Sequence, residues 1–305
     1  MSWETALDNW VTEYLPDLRW VREEPLSRHT SFKIGGPARR MAFPVRQEQL
    51  VLLLGAAEEL GARPLMVGNG TNLLAPDGGV DRLVIVTTGL KRLEAGAKPH
   101  TVVAEAGVTL AQAADLACRL GLTGLEFAHG IPGTVGGGLC MNAGAYDGEL
   151  KTAVETVDVL FPEGVRRLTC EEMRFGYRQS LLMERPETAA LGAVFRLTPG
   201  DPERIRKRMR ELMAKRKASQ PLELPSAGST FKRPPGQFAG TLIERCGLKG
   251  LTVGGAQVSE KHAGFLVNRG GATCADVLEL IRQVRERVEA ETGVLLEPEV
   301  KIMEA

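Results

Sequence analysis

Two glycine clusters are the places where this chain is best equipped for chemistry: "VGNGTNLL" at 67–74 and "GIPGTVGGGLCMNAGAY" at 130–146. Six glycines fall within the first fifteen residues of the second cluster. Missing side chains let backbone approach a ligand closely, most often a phosphate. Neither cluster is a familiar phosphate binder. No glycine is followed by lysine, as a P-loop requires, and the G-x-G-x-x-G dinucleotide fingerprint does not occur. In the first cluster Gly68 and Gly70 let backbone N–H groups turn toward one anion, while Asn69, Thr71 and Asn72 add polar contacts. In the second, Pro132 stiffens the turn, and Gly133, Gly136, Gly137 and Gly138 clear side chains from it. Asn142 and the small run Ala143–Gly144–Ala145 follow. Two such loops suit an extended diphosphate gripped from two sides.

The bulk of the chain narrows the function classes. Its 305 residues are 43% hydrophobic and 25% charged with formal net charge +0, an ordinary globular composition long enough for two or three domains. A neutral balance argues against a nucleic-acid binder, which needs a basic surplus. The eight basic residues from Arg204 to Lys217 read mainly as a solvated helix face. The longest apolar run, Leu50 to Ala57, falls far short of the ~20 residues that span a bilayer, so no membrane partner is expected. "MSWETALDNW" has neither the basic start nor the apolar core of a signal peptide. Five cysteines without a Cys-x-x-Cys pair suit a reducing compartment and supply neither a disulfide framework nor a metal site. The expected location is the cytoplasm.

The elements that must position the loops follow from periodicity. Two tryptophan-bearing segments at the start read as helices. Residues 46–60 read as a helix closed by Gly61, and "DRLVIVTTGL" as a strand with a β-branched run at Val84, Ile85 and Val86. Leu110, Ala113, Ala114 and Ala117 make one apolar helix face behind a Thr109 cap. Asp201–Pro202 starts a helix with Ile205, Met209, Leu212 and Met213 as its buried stripe. Thr273 and Asp276 make a capping-box-like start to a helix that turns Val277, Ile281, Val284 and Val288 inward and stops at Gly293. "VLLEPEVKIM" reads as a final strand. Pattern alone gives an α+β protein of two or three subdomains.

The motifs "GNGTNLL", "GIPGTVGG" with "MNAGAY", "FGYRQS", "PSAGSTFKRP" and "LEPEV" occur in the order found in the UDP-N-acetylenolpyruvoylglucosamine reductase family, which the chain resembles from about His29 to its end. The resemblance implies a vanillyl-alcohol-oxidase (PCMH)-type FAD-binding fold of two subdomains plus a C-terminal α+β substrate domain. By the resemblance, residues 1–93 and 94–204 are the FAD-binding subdomains and 205–305 the substrate-binding domain. It implies non-covalent FAD, which argues against flavin attachment through His129. NADPH is then a co-substrate that needs no fold of its own, and UDP-N-acetylglucosamine enolpyruvate is the other substrate. A monomer or weak oligomer is expected. The implied FAD contacts are Gly68, Asn69, Gly70, Thr71, Asn72, Gly130, Ile131, Pro132, Gly133, Thr134, Gly136, Gly137, Ala143 and Gly144.

The reaction of that family places a hydride on C3 of an enol ether and a proton on C2, with negative charge building between the two steps. It therefore needs fixed positive charge at the adjacent carboxylate and a positioned proton donor. The resemblance assigns Arg178 to the carboxylate, a role suited to a permanently charged, bidentate guanidinium. It assigns the proton to Ser229, whose neighbour Gly228 permits close approach. Glu297 and Glu299 share one face of a strand, so periodicity does not choose between them. The family pattern chooses Glu299. Tyr177, Lys217 and Arg233 are implied substrate contacts, with Lys215 and Arg216 as substitutes for Lys217. Gly264 and Arg233 stand where many relatives carry asparagine, and the chain resembles the shorter, type II branch. An FAD oxidase of the same fold, acting on a small alcohol or hydroxy acid, is the alternative.

Overall fold

A computed structural model describes residues 2–304. Their architecture is α+β, in two compact units that are each drawn from three stretches of chain. The first holds residues 2–22, 40–69 and 82–215; the second holds 23–39, 70–81 and 216–304. The second unit thus takes two pieces from the first of the three contiguous segments expected from the sequence.

The first unit has two cores. In one, the helices Trp3–Tyr14 and Gln47–Glu59 bury Leu7, Val11, Leu50, Leu53 and Ala57 beside Leu83 and Ile85. Gly61, at φ 72°, lies just beyond the second helix, where a left-handed residue favours glycine. Strand Pro64–Val67 pairs in parallel with Leu83–Val86 and leads directly into Gly68. The second expected tryptophan helix is instead a strand, Arg19–Pro25. Pro16 cannot continue the first helix, and the Trp20 indole N–H donates to Asp8 (2.8 Å), which fixes the chain in extended form.

The other core lies beneath a five-stranded antiparallel sheet. Its order is Gly164–Thr169, Val154–Phe161, Ala189–Arg196, Thr101–Glu105 and Leu93–Ala95. Helix Leu110–Arg119 starts at a full capping box between Thr109 and Gln112, with Leu110, Ala113, Ala114 and Ala117 buried as their spacing requires. Ile205, Met209 and Leu212 of helix Pro202–Ser219 join the same core.

In the second unit, strands Ser226–Ser229, Phe265–Asn268, Ala256–Val258 and Thr252–Val253 form an antiparallel sheet in that order. Helix Cys274–Thr292 buries Val277, Leu280, Ile281, Val284 and Val288. It opens on the Thr273–Asp276 capping box and ends at Gly293 in left-handed conformation. Asp77 adds a carboxylate to its first turn, accepting from the N–H of Cys274 (2.7 Å) and Ala275 (3.1 Å). The expected final strand is shorter than its sequence suggested. Only Lys301–Ile302 pairs regularly, in parallel with Leu73–Leu74. Pro298 lacks an N–H and interrupts the ladder, making a single bridge with Phe231.

The first unit contains a partly buried ion-pair cluster, and it generates a test. Asp8, 11% exposed, accepts Arg40 Nε (2.6 Å) and Nη2 (2.7 Å) bidentately, and also pairs with Arg22 (2.9 Å). Burial pushes the Asp8 carboxyl upward, but the bonds from Arg40 and Trp20 outweigh it and hold the group below the ordinary carboxylate range. A depressed folded-state value stabilises the fold above the unfolded value of about 4, and that contribution is lost as pH falls through the folded value. Asp8→Ala also leaves the Arg40 guanidinium buried without its carboxylate. Urea unfolding at pH 7 is expected to show a loss of about 3 kcal/mol, with the gap to wild type narrowing below about pH 4. A gap that stays constant down to pH 2 would contradict this account.

Candidate active site

In the first unit the two glycine clusters meet. Asn69 donates its side-chain amide to the Pro132 carbonyl (2.8 Å), and a Cβ on Gly68 would stand 2.3 Å from Thr134 Oγ1. Glycine at 68 is therefore demanded by this close approach. Thr134 caps the short helix Val135–Met141, accepting from the Gly137 N–H (3.3 Å). The Val135 and Gly136 N–H groups donate to Val108 (2.7 Å) and Ala106 (2.8 Å). The amides at the start of this helix are thus taken by protein. The N–H groups of Asn69, Gly133 and Thr134 have no acceptor among the described residues. Nδ1 of His129, just before the loop, is buried without a partner, while Nε2 lies 3.4 Å from Asp115. Unpaired donors and an orphaned ring nitrogen beside side-chain-free backbone fit a ligand rich in acceptors and hydroxyls, as FAD is.

The loop is tied to the segment carrying Arg178. Asn142 takes left-handed conformation (φ 43°) after the short helix and is buried. Its amide donates to Glu149 (2.8 Å) and to the Gly176 carbonyl (3.0 Å), and its Oδ1 accepts the Lys151 N–H (3.0 Å). Ser180, also buried, donates to the Cys140 carbonyl (2.7 Å). The sequence marked Asn142 only as following the glycine loop, without these partners, and did not single out Ser180. An asparagine following a glycine-rich helix was the available signal for the first, since asparagine tolerates the left-handed cap.

Between the anchors, Gly176 and Gln179 pair through both backbone bonds (3.1 and 3.3 Å), leaving Tyr177 and Arg178 at the tip of a tight turn. Arg178 has φ 55°, a conformation that ordinarily selects glycine or asparagine. Its guanidinium lies 5.0 Å from the centroid of the half-exposed Tyr177 ring. At this turn tip the left-handed conformation carries a strain that glycine would avoid. Ala143 and Gly144 continue the loop into a short hairpin, Gly144 pairing with Glu149.

In the second unit Gly70, at φ 61°, packs its α-carbon against the His29 carbonyl, where a Cβ would stand 2.1 Å from the oxygen. The N–H groups of Gly70 and Thr71 have no acceptor among the described residues. The Asn72 amide donates to the Glu299 carbonyl (3.1 Å). Ser229 is exposed at the end of strand Ser226–Ser229, after Gly228 at φ 77°. The next residue, Thr230, is buried and accepts the Glu299 N–H (2.7 Å). One hydrogen bond therefore links the main chains that carry Ser229 and Glu299.

The two glutamates separate clearly. Glu297 is exposed and pairs with the Lys232 ammonium, whereas Glu299 is half-buried. Arg233 stacks on Phe238, 4.4 Å from its centroid, with both side chains exposed. Lys217 is exposed, and its carbonyl accepts Lys261 Nζ (2.7 Å). Gly264 donates to His262 Nδ1 (3.1 Å) and accepts from the Thr230 N–H (2.8 Å). Burial holds His262 below the ordinary imidazole value, so Nδ1 keeps the lone pair this bond requires.

With this geometry in view, similarity to known proteins decides the family. A model described as FAD binding domain matches residues 38–169, and one described as UDP-N-acetylenolpyruvoylglucosamine reductase, C-terminal domain, matches 220–303. The UDP-N-acetylenolpyruvoylglucosamine reductase of Caldanaerobacter subterraneus subsp. tengcongensis is 47% identical over 295 residues, 96% of each chain. That of Pediococcus pentosaceus is 43% identical, covering 97% of this chain and 98% of its own. The chain belongs to the UDP-N-acetylenolpyruvoylglucosamine reductase family.

The crystal structure of the family's enzyme (MurB) from Thermus caldophilus superposes with a TM-score of 0.80 at 37% identity, over 94% of this chain and 99% of that one. The α+β, FAD-binding fold and an oxidoreductase activity are therefore properties of the family to which this chain belongs. These relatives do not favour the oxidase alternative. Among the described residues no helix is long and apolar enough to cross a membrane.

The turn at Arg178 gives a test that separates function from folding. A left-handed conformation costs a non-glycine residue about 1–2 kcal/mol, and glycine gives back roughly 0.5–1 kcal/mol through its freer unfolded chain. Arg178→Gly is expected to stabilise the fold by about 0.5–1 kcal/mol relative to Arg178→Ala in urea unfolding. Equal midpoints for the two variants would show that the turn is not strained.

Proposed function

We propose that this chain reduces the enolpyruvyl ether of UDP-N-acetylglucosamine to UDP-N-acetylmuramate with electrons from NADPH. The setting is peptidoglycan precursor synthesis in the cytoplasm, by a monomer or weak oligomer. The observation that carries this reading is the match to reductases over almost the whole of both chains. On this reading residues 1–93 and 94–204 hold FAD, and residues 205–305 bind the UDP-sugar. Gly68, Asn69, Gly70, Thr71 and residues of the loop from Gly130 to Gly137 would hold FAD.

When bound, FAD would supply the hydride that C3 of the enol ether receives. The chain's own residues manage the charge and the proton. Arg178 holds the substrate carboxylate, where negative charge accumulates as C2 becomes carbanionic, and a guanidinium remains charged throughout. Ser229 donates its hydroxyl proton to C2. A hydroxyl is a weak acid, but the developing carbanion is a far stronger base, so the transfer runs downhill. Glu299 partners the developing enediolate or the Ser229 hydroxyl. Its half-buried position and main-chain link to Thr230 support this choice, as does the engagement of Glu297 with Lys232. Tyr177, Lys217 and Arg233 are proposed contacts for the UDP-sugar, Lys217 serving its diphosphate.

The decisive experiment follows the flavin spectrum anaerobically. Wild-type protein loaded with FAD is expected to bleach with NADPH and recover with the enolpyruvyl substrate. In Ser229→Ala the bleaching persists at about the wild-type rate, while recovery slows by about 100-fold or more, in the range expected for removing a general acid. Recovery at the wild-type rate would take Ser229 out of the mechanism. A protein that binds no FAD would remove the proposed reaction altogether.

A further inference from the structure

Asn72 sits in a motif expected to contact FAD, and two of its hydrogen bonds reach the final segment of the chain. Its side-chain amide donates to the Glu299 carbonyl (3.1 Å), and its own carbonyl accepts the Lys301 N–H (2.9 Å). The adjacent Leu73 and Leu74 then pair in parallel with Lys301 and Ile302. On its other side Glu299 gives its N–H to Thr230 (2.7 Å), next to Ser229. Pro298, directly before Glu299, offers no N–H and makes an isolated bridge to Phe231. The glutamate therefore stands where a regular ladder is interrupted, and discrete bonds must set its peptide plane.

We infer that Asn72 is a positioning residue for Glu299: its amide fixes the 299–300 peptide and so aims the carboxylate, and it joins that glutamate to the glycine turn at 70–71. The physical ground is the pairing of one donor and one acceptor on a single residue. The backbone carbonyl sets the register at Lys301, and the side chain sets the plane two residues earlier. A displacement of about 1 Å in a catalytic group commonly costs on the order of 100-fold in rate, so small freedom here matters. The inference rests on the proposed role of Glu299, and its test keeps the two separate.

Asn72→Asp is nearly isosteric but replaces the donor with a carboxylate that repels the Glu299 carbonyl. Asn72→Ala removes the side chain and leaves the Lys301 bond in place, so it serves if the aspartate variant folds poorly. The FAD-loaded full chain is examined in both half-reactions, beside Glu299→Gln and the double variants. The expected result is FAD affinity within about threefold of wild type and reduction by NADPH equally preserved. Reoxidation by the enolpyruvyl substrate is slowed about 50-fold, with little further slowing when Glu299→Gln is added. Backbone exchange at 297–303 is expected to quicken in the same variants.

Loss of FAD binding by more than about tenfold would make Asn72 a cofactor ligand and overturn the inference. So would equal slowing of both half-reactions, or effects of Asn72 and Glu299 that multiply. If Glu299→Gln is slow while Asn72→Asp reoxidises at the wild-type rate, only the positioning role falls. If Glu299→Gln itself reoxidises normally, the role proposed for the glutamate falls, and the inference with it.

Discussion

The acceptance of the Glu299 N–H by the Thr230 carbonyl is the contact on which the second unit's candidate chemistry depends. A proline immediately before the glutamate prevents an ordinary strand, so the final segment cannot rely on a repeating ladder. Its position is set instead by a few bonds of different origin. Thr230 grips Glu299 from one side, Asn72 from another, and Lys232 takes both the carbonyl and the carboxylate of Glu297. Thr230 is itself fixed, its N–H bonded to Gly264 and its hydroxyl to the Leu266 N–H. The exposed Ser229 is thereby mounted on buried, fully bonded backbone. Reactivity sits at the rim and rigidity directly beneath it.

In the first unit the constraint is conformational. Gly68 yields its side-chain space to the Thr134 hydroxyl that caps the next helix, and Gly136 and Gly138 yield theirs to Ala106 and to Leu110 and Leu150. Several of the glycines are thus required by packing, and the amides of Val135 and Gly136 are bonded to neighbouring carbonyls. What the loop leaves open is narrower than its glycine count suggests: a few unpaired amides, and the orphaned nitrogen of His129. Arg178 shows the opposite economy. It occupies a left-handed turn position that glycine would fill with less strain.

Much of this was legible in the sequence, for identifiable reasons. The helix behind Thr109 and the helix from Thr273 to Gly293 carried caps, stripes and stops that agree with one another, and both formed as their patterns required. Local signals of this kind survive because cap and stripe are specified within a few residues. The segment around Trp20 was misread because its state depends on Asp8, twelve residues away on a different element. The end of the chain alternates like a strand at 294–303, and the break in regularity that Pro298 invites leaves only Lys301–Ile302 in a ladder. Likewise, Asn72 and Asn142 could not be assigned from the sequence: each amide's partner lies in a segment that only folding brings near. Periodicity left Glu297 and Glu299 undivided, and the Lys232 partner that distinguishes them is 65 residues away from Glu297 in the chain.

The proposed chemistry explains why rigidity takes precedence over tuned acidity in this design. Enzymes that use carboxylic acids or imidazoles as proton donors must bring the donor's pKa near the working pH, which calls for burial or a charged neighbour. A serine donating to a carbanion faces no such requirement, because the acceptor is the stronger base by a wide margin. The rate then depends on whether the hydroxyl lies on the correct face of C2 when charge develops, which is a question of main-chain position. The arrangement around Ser229 answers that need. A glycine with positive φ precedes the serine, a buried threonine follows it, and the backbone of Glu299 is fastened to that threonine.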